Sequence, residues 1–129
     1  MLLIVGGAGQ GKRKIALEQT GCTQQDIGED REIVDHLHLL IRKYLEQGWE
    51  ISPLLEKMLN KKAVLCDEIG CGVVPSDAME RRWREEVGRA CQYLANHAQR
   101  VIRVTCGIPM VLKDSSQNER ISPLKENEK

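Results

Sequence analysis

The chain has 129 residues, which suits one domain of ordinary size. Its 19 basic and 19 acidic side chains cancel, so no net charge favours nucleic acid or an anionic membrane as a partner. Phe is absent and aromatic residues make up only 3%, which leaves few platforms for stacking single-stranded nucleic acid and predicts an aliphatic core.

The first predicted element is a short strand that leads into a glycine-rich turn. Leu2 to Val5 are apolar, and the next residues, Gly6 to Lys12, fit the phosphate-binding pattern G-x-x-x-x-G-K. Glycines let successive backbone N–H groups turn inward around a phosphate. A helix predicted from Lys12 to about Gln19 adds its unpaired N-terminal N–H groups. We therefore expect Lys12 to contact the β- and γ-phosphates of GTP or ATP.

Arg13 departs from the pattern, which has Ser or Thr there to ligate Mg²⁺ through a hydroxyl. A guanidinium has no lone pair for a cation. It can still pair with a phosphate, which favours binding over catalysis. The alternative is a glycine-rich turn that is only structural. The predicted nucleotide-binding residues are Gly6, Gly7, Ala8, Gly9, Gln10, Gly11, Lys12 and Arg13.

Two helices are predicted after a polar loop at residues 21–28. Apolar spacing predicts the first from Asp30 to about Gln47, with Asp30 as its N-cap and Gly48 just beyond its end. The second is predicted from Ser52 to about Asn60.

Two histidines, His36 and His38, fall on the first of these helices. Side chains two residues apart on a helix point to different faces. We therefore expect that they do not jointly hold one metal ion.

A second strand is predicted from Ala63 to Asp67, followed by Glu68. An acid at the tip of a parallel strand beside a phosphate loop can hold Mg²⁺, usually through water, or orient an attacking group. We predict Asp67 and Glu68 as Mg²⁺ ligands and, together with Lys12, as catalytic residues. The alternative is a strand-end acid or a cap on the next turn.

The remaining elements continue the alternation of helix and strand. Residues 69–75 are predicted to form a glycine-punctuated loop, and Ser76 is predicted to cap a long helix ending near His97. A third strand is predicted from Arg100 to Thr105, then a break at 106–109 and a short strand at 110–113.

This order of elements predicts an α/β fold with a small, mostly parallel sheet and right-handed helical crossovers. Residues 1–113 form the domain, and the polar stretch 114–129 is predicted to be a disordered tail. Three or four strands make a small sheet, so we expect it to complete its cover by self-association.

The five cysteines are odd in number and form no Cys-x-x-Cys pair. No signal peptide is visible, because the first apolar run is short and leads straight into the glycine turn. We therefore expect reduced thiols in a cytoplasmic protein.

Four segments resemble one family, adenosylcobinamide kinase/adenosylcobinamide-phosphate guanylyltransferase. Residues 67–75, DEIGCGVVP, are similar to its N-E-V-G-x-G-I-V-P segment, and residues 87–95, VGRACQYLA, to A-G-R-x-N-Q-x-L-A. Residues 101–113 resemble its V-x-G-I-P-x-x-x-K ending, and the glycine loop resembles G-G-A-R-S-G-K-S. These segments lie at both ends of the chain, within residues 6–12 and 67–113.

The resemblance implies a phosphate-loop NTPase-like fold with two activities at one nucleotide site. One phosphorylates the aminopropanol hydroxyl of adenosylcobinamide. The other moves GMP from GTP onto that phosphate through a guanylylated histidine. Oligomers, trimers included, are usual in the family.

Three departures separate the chain from this pattern. Arg13 replaces the serine of the loop, and Asp67 and Cys91 stand where the family has Asn. The segment with the family's reactive histidine does not align, which leaves His36 and His38 as candidates. The resemblance thus implies a nucleotide-binding phosphotransferase acting on a corrinoid alcohol. The alternatives are a non-catalytic, regulatory nucleotide-binding member of the family and a small α/β interaction protein.

Overall fold

The computed structural model describes residues 1–69 and 77–115. Within them, a five-stranded sheet alternates with α-helices along the chain. The strands are β1 (Leu2–Gly6), β2 (Ile33–Val34), β3 (Ala63–Asp67), β4 (Arg100–Thr105) and β5 (Ile108–Asp114). The helices are α1 (Lys12–Thr20), α2 (Leu37–Gln47), α3 (Ser52–Met58) and α4 (Ala78–His97).

The strand order is β2-β3-β1-β4-β5. Neighbours among the first four are parallel, and β5 runs antiparallel to β4. The α/β fold with a mostly parallel sheet is therefore confirmed. Because Gly6 pairs with Asp67 at the ends of β1 and β3, the glycine loop and the acid leave the same edge of the sheet side by side.

The core lies in two apolar layers, one on each face of the sheet. Alternate residues of β1 face opposite sides, so Leu3 packs in the layer with α2, α3 and α4, while Leu2 and Ile4 pack with α1. The buried apolar residues are aliphatic, Met or Cys, as the composition predicts. Among the described residues, no helix combines the length and the apolar character needed to cross a bilayer.

The predicted helix from Asp30 to Gln47 is wrong over its first seven residues. Ile33 and Val34 form β2 and pair in parallel with Ala63 and Val64, and α2 begins only at Leu37. Both residues are β-branched and fully buried in the sheet, where their shape packs better than in a first helical turn.

Asp30, the predicted N-cap, does not cap α2. Its carboxylate instead accepts a hydrogen bond from Lys57 Nζ at 2.7 Å.

The cap of α4 is Asp77, one residue after the predicted Ser76. The Asp77 carboxylate accepts hydrogen bonds from the amides of Met79 at 2.7 Å and Glu80 at 3.4 Å. Ser76 and residues 70–75 of the predicted loop lie outside the described residues.

The last strand is longer than predicted. Cys106 and Gly107 have left-handed backbone angles and form a two-residue hairpin turn, so β5 starts at Ile108. It continues to Asp114, which was assigned to the tail and instead pairs with Arg100 at 3.1 Å. The predicted tail beyond residue 115 lies outside the described part of the chain.

Candidate functional site

The glycine loop borders a cleft of about 230 Å³ at the carboxyl edge of the parallel strands. This is where open α/β sheets bind their ligands. Six of the eight predicted nucleotide-binding residues line it, and Asp67 is present as well. The lining residues are Ala8, Gly9, Gln10, Gly11, Lys12, Arg13, Asp35, His36 and Asp67.

Two glycines of the loop hold positions that a larger residue would not tolerate. A Cβ on Gly6 would lie 2.5 Å from the carbonyl oxygen of Val104 in β4. Gly11, the N-cap of α1, has φ +97 and packs closely against Gly107. Gly6 thus lets the loop leave the sheet close to β4, and Gly11 lets the chain turn into α1.

The turn between β4 and β5 is hydrogen-bonded to the glycine loop through Gln10. The Cys106 amide donates to the side-chain oxygen of Gln10 at 2.6 Å, and the Gly107 amide donates to the Gln10 carbonyl at 2.8 Å. Gln10 therefore ties the loop to the hairpin, so the loop is held in shape before any ligand binds.

Lys12 is buried at the floor of the cleft. Its Nζ lies 2.7 Å from Asp67 Oδ1 and donates to the Gly7 carbonyl at 2.7 Å. The two predicted catalytic residues Lys12 and Asp67 are therefore brought together as an ion pair.

Asp67 is also bound by His38 on α2. The Asp67 amide donates to His38 Nδ1 at 3.2 Å, and His38 Nε2 lies 3.4 Å from Asp67 Oδ2. Because Nδ1 accepts this hydrogen bond, a neutral ring carries its proton on Nε2. Burial lowers the pKa of His38 although the Asp67 carboxylate opposes the shift, so the ring is neutral near pH 7.

Arg13 points across the cleft mouth to Asp35, the residue directly after β2. Its Nε and Nη2 lie 3.1 Å and 2.8 Å from Asp35 Oδ2. The other carboxylate oxygen accepts the His36 amide at 2.7 Å. Arg13 is about half exposed and Asp35 is mostly buried, so the strand-end carboxylate anchors a guanidinium that faces solvent.

The prediction that His36 and His38 cannot approach one ion is wrong. His36 precedes α2 as its N-cap with a left-handed backbone (φ 57), so helical spacing does not separate the two rings. One ligand atom from each histidine and one from Asp67 lie within 4.8 Å of one another. In the observed arrangement, however, Asp67 already pairs with Lys12 and its amide donates to His38 Nδ1, so a carboxylate oxygen and a ring nitrogen of the group are already engaged within the protein.

Glu68 does not line the loop cleft. Its carboxylate oxygens lie 2.7 Å from Arg103 Nε and 3.0 Å from Arg103 Nη2, in a bidentate pair. Its amide donates to the Gly6 carbonyl at 2.8 Å. Successive residues at the end of a strand face opposite sides, which separates Glu68 from Lys12 while Asp67 reaches it.

A second cleft of about 380 Å³ adjoins the first and shares Arg13, Asp35 and His36 with it. Its other walls are apolar with a charged rim. They comprise Ile27, Gly28, Glu29, Val34, Leu39, Leu40 and Lys43. A ligand with phosphates in the loop cleft therefore has room for its remaining atoms next to His36.

Asp35 is not among the predicted site residues, because the predicted helix spans residues 30–47. A signal was present: Ile33-Val34-Asp35 repeats the pattern of apolar residues followed by an acid that identified Leu65-Cys66-Asp67. No sequence pattern distinguishes Arg103, the partner of Glu68, from the many other charged residues of the chain.

Comparison with known proteins gives a family match that runs from the end of α1 into β5. Residues 18–112 match the family model described as cobinamide kinase / cobinamide phosphate guanyltransferase. The match covers well over half of the chain and includes Asp35, His36, His38 and Asp67, whereas the glycine loop precedes it. No curated protein matches the chain.

Proposed function

This chain belongs to the cobinamide kinase / cobinamide phosphate guanyltransferase family, and on that premise we propose that it binds GTP or ATP and phosphorylates a corrinoid alcohol. Family membership supports a cobinamide kinase/guanyltransferase-like role in cobalamin biosynthesis. The observation that carries the proposal is the position of Lys12, which is buried at the floor of a glycine-loop cleft within reach of both the loop and a strand-end acid.

Binding begins at the loop and at the start of α1. The backbone N–H groups there and the positive end of the helix dipole attract the phosphates. Lys12 exchanges its bond to Asp67 for the β- and γ-phosphates, because a triphosphate offers more negative charge than one carboxylate. The adjoining cleft beyond Arg13 then receives the nucleoside or the acceptor.

Transfer follows from positioning and charge neutralisation. The acceptor hydroxyl oxygen forms a bond to the γ-phosphorus while the bond from that phosphorus to the β–γ bridging oxygen breaks. The electron pair stays on the departing diphosphate, and Asp67 accepts the hydroxyl proton. His38 positions Asp67 for this task, because its Nδ1 accepts the Asp67 N–H and its Nε2 lies 3.4 Å from Asp67 Oδ2.

Mg²⁺ at Asp67 and Glu68 stays a prediction, and the side chains present fit it poorly. Arg13 offers no lone pair where a hydroxyl is needed. Asp67 is paired with Lys12, and Glu68 is paired with Arg103 outside the loop cleft. No step of the transfer is therefore assigned to Mg²⁺.

His36 is the better placed of the two histidines for the guanylyl half-reaction. Its ring is 52% exposed and borders both clefts, and its Nε2 lies 3.6 Å from Asp35 Oδ2. His38 is buried and has both ring nitrogens directed at Asp67. A nucleophile needs a free nitrogen that the α-phosphate can reach, which favours His36.

Nucleotide binding without turnover is the second candidate function. The observation that favours it is the Arg13–Asp35 pair, which replaces a metal-binding hydroxyl with a cation and neutralises an acid at the cleft. Such a member would act as a sensor or a regulatory subunit.

Self-association is proposed from the exposed edge strand β5. Its large apolar side chains are 50–69% exposed, and a bare apolar edge pairs readily with another chain. These side chains are Ile108, Met110, Val111 and Leu112.

The test is a calorimetric titration with GTP and with ATP, followed by a phosphorylation assay with cobinamide. Lys12→Ala should abolish binding, whereas the matched variant Lys14→Ala, which changes the exposed lysine two residues along α1, should retain it. Turnover of cobinamide supports the kinase. Binding without turnover supports the regulatory member, and no binding to the folded protein rejects both.

A further inference from the structure

The end of β2 and the start of α1 meet in one ion pair, between Asp35 and Arg13. The two residues are 22 positions apart, and both line the loop cleft together with Lys12. Two N–H groups of the guanidinium, on Nε and Nη2, point at the same oxygen, Asp35 Oδ2. This geometry fixes the guanidinium at the mouth of the phosphate loop.

The first of these positions in the chain, directly after the loop lysine, is one from which a phosphate loop usually recruits its cation. The residue after the loop lysine supplies a hydroxyl to Mg²⁺, and an acid on a nearby strand completes the site. Here residue 13 is itself a cation, and the strand-end acid binds it directly. We propose that the Arg13 guanidinium does the work of Mg²⁺, so that the loop binds a metal-free nucleoside triphosphate.

The charges at the cleft support this inference. Lys12 and Arg13 each pair with one acid, Asp67 and Asp35, so that each of these carboxylates already faces a protein cation. A divalent ion would have to separate one of these pairs and would then sit beside its displaced cation. A polyphosphate, in contrast, is attracted to the cleft, because both cations and the loop amides favour its negative charge.

Arg13 keeps donors available for a phosphate while it is anchored. A guanidinium has five N–H donors, and the bonds to Asp35 use Nε and Nη2. Its Nη1 can therefore donate to a phosphate oxygen without loss of the anchor. Since the planar guanidinium suits paired phosphate oxygens, it can bridge two of them as the metal would.

This inference rests on the proposed nucleotide binding and goes beyond it by naming the ligand form. The experiment measures the affinity of full-length protein for ATP and GTP by calorimetry, in EDTA and in excess Mg²⁺. The proteins compared are the wild type, Arg13→Ser and the control Arg89→Ser, which removes an exposed arginine and its ion pairs on α4. Circular dichroism verifies that each variant is folded.

The wild type and Arg89→Ser are expected to bind as tightly in EDTA as in Mg²⁺. Arg13→Ser should lose about tenfold or more in EDTA, which is the usual value of a charge-assisted hydrogen bond. In Mg²⁺ it should regain affinity, because the new hydroxyl and the released Asp35 carboxylate form a metal site.

Asp35→Asn distinguishes two roles for this acid, as the partner of Arg13 or as a ligand of Mg²⁺. If Arg13 replaces the metal, removing the Asp35 charge releases the guanidinium and tightens metal-free binding. If Asp35 serves Mg²⁺, the same variant weakens binding in Mg²⁺. The amide oxygen of Asn can still accept the His36 N–H, which preserves the start of α2.

Two results overturn the inference, and they are distinguishable. Wild-type binding that needs Mg²⁺, or is weakened by Asp35→Asn in Mg²⁺, overturns the inference alone. Absence of nucleotide binding by the folded wild type in either condition overturns the proposed function and the inference with it.

Discussion

Lys12 Nζ lies 2.7 Å from Asp67 Oδ1, and the lysine side chain is only 7% exposed. A buried ion pair recovers little net free energy after desolvation, and apolar residues often replace such pairs without loss of stability. The pair is therefore better explained by a role in ligand binding than by a role in stability. It holds a desolvated ammonium at the floor of the cleft, and an incoming phosphate can take the place of Asp67.

Removing Lys12 should affect both stability and binding. Lys12→Ala leaves Asp67, which is 17% exposed, without its cation, and we expect the free energy of unfolding to fall by about 2 kcal/mol. Urea denaturation measures this change. The control Lys14→Ala should stay within about 0.5 kcal/mol of the wild type. Equal losses in both variants would mean that the Lys12–Asp67 pair contributes nothing specific.

The buried His38 should make stability depend on pH. Burial lowers its pKa below the ordinary value of 6.5, so the unfolded chain binds the proton more readily than the folded chain. The contribution of His38 is therefore complete above about pH 6.5 and is lost as the pH falls towards its folded-state pKa. Urea denaturation at about pH 7.5 and about pH 5.5 measures the difference.

A non-titrating replacement identifies His38 as the source of this slope. His38→Gln should flatten the dependence between these two pH values, whereas His97→Gln, at the exposed end of α4, should leave it unchanged. If both variants keep the wild-type slope, other groups cause it.

The first glycine of the loop should be the least replaceable. An alanine Cβ at Gly6 would lie 2.5 Å from the Val104 carbonyl oxygen, so β1 or β4 must shift. We expect Gly6→Ala to lower the free energy of unfolding by about 2 kcal/mol or more. Gly7→Ala is the matched control, because its nearest new contact, Gln10 Cγ, lies at 3.5 Å. Thermal unfolding that ranks Gly7→Ala below Gly6→Ala would contradict this account.

The edge strand β5 should determine the oligomeric state. Ile108 and Met110 are 69% and 59% exposed on this strand, and lysine at either position would place a charge in any interface built on it. We expect Met110→Lys to shift the protein to a smaller species in light scattering coupled to gel filtration. Leu39→Lys, at an exposed leucine on α2, should not. A wild type that is already monomeric would refute the self-association proposal.

Much of the fold could be predicted because its elements carry strong local patterns. The apolar strands β1, β3 and β4 and the helices α1 and α3 lie close to their predicted positions, and the matching family model confirms the resemblance read from residues 67–113. Strand β2 could not be predicted, because two residues are too few for an alternating pattern. The neighbouring apolar residues fit a helical period equally well.

The sequence by itself determined the glycine loop, the α/β class and the family, because each depends on residues adjacent in the chain. Only the tertiary structure decided which acid faces which cation. Arg13 meets Asp35 across 22 positions, and His38 meets Asp67 across 29, since parallel strands bring their carboxyl ends to one edge. Sequence spacing does not reveal that edge, because the edge forms only when the strands are ordered in a sheet. The strand order then brings residues that are distant in the chain together in one charged cleft.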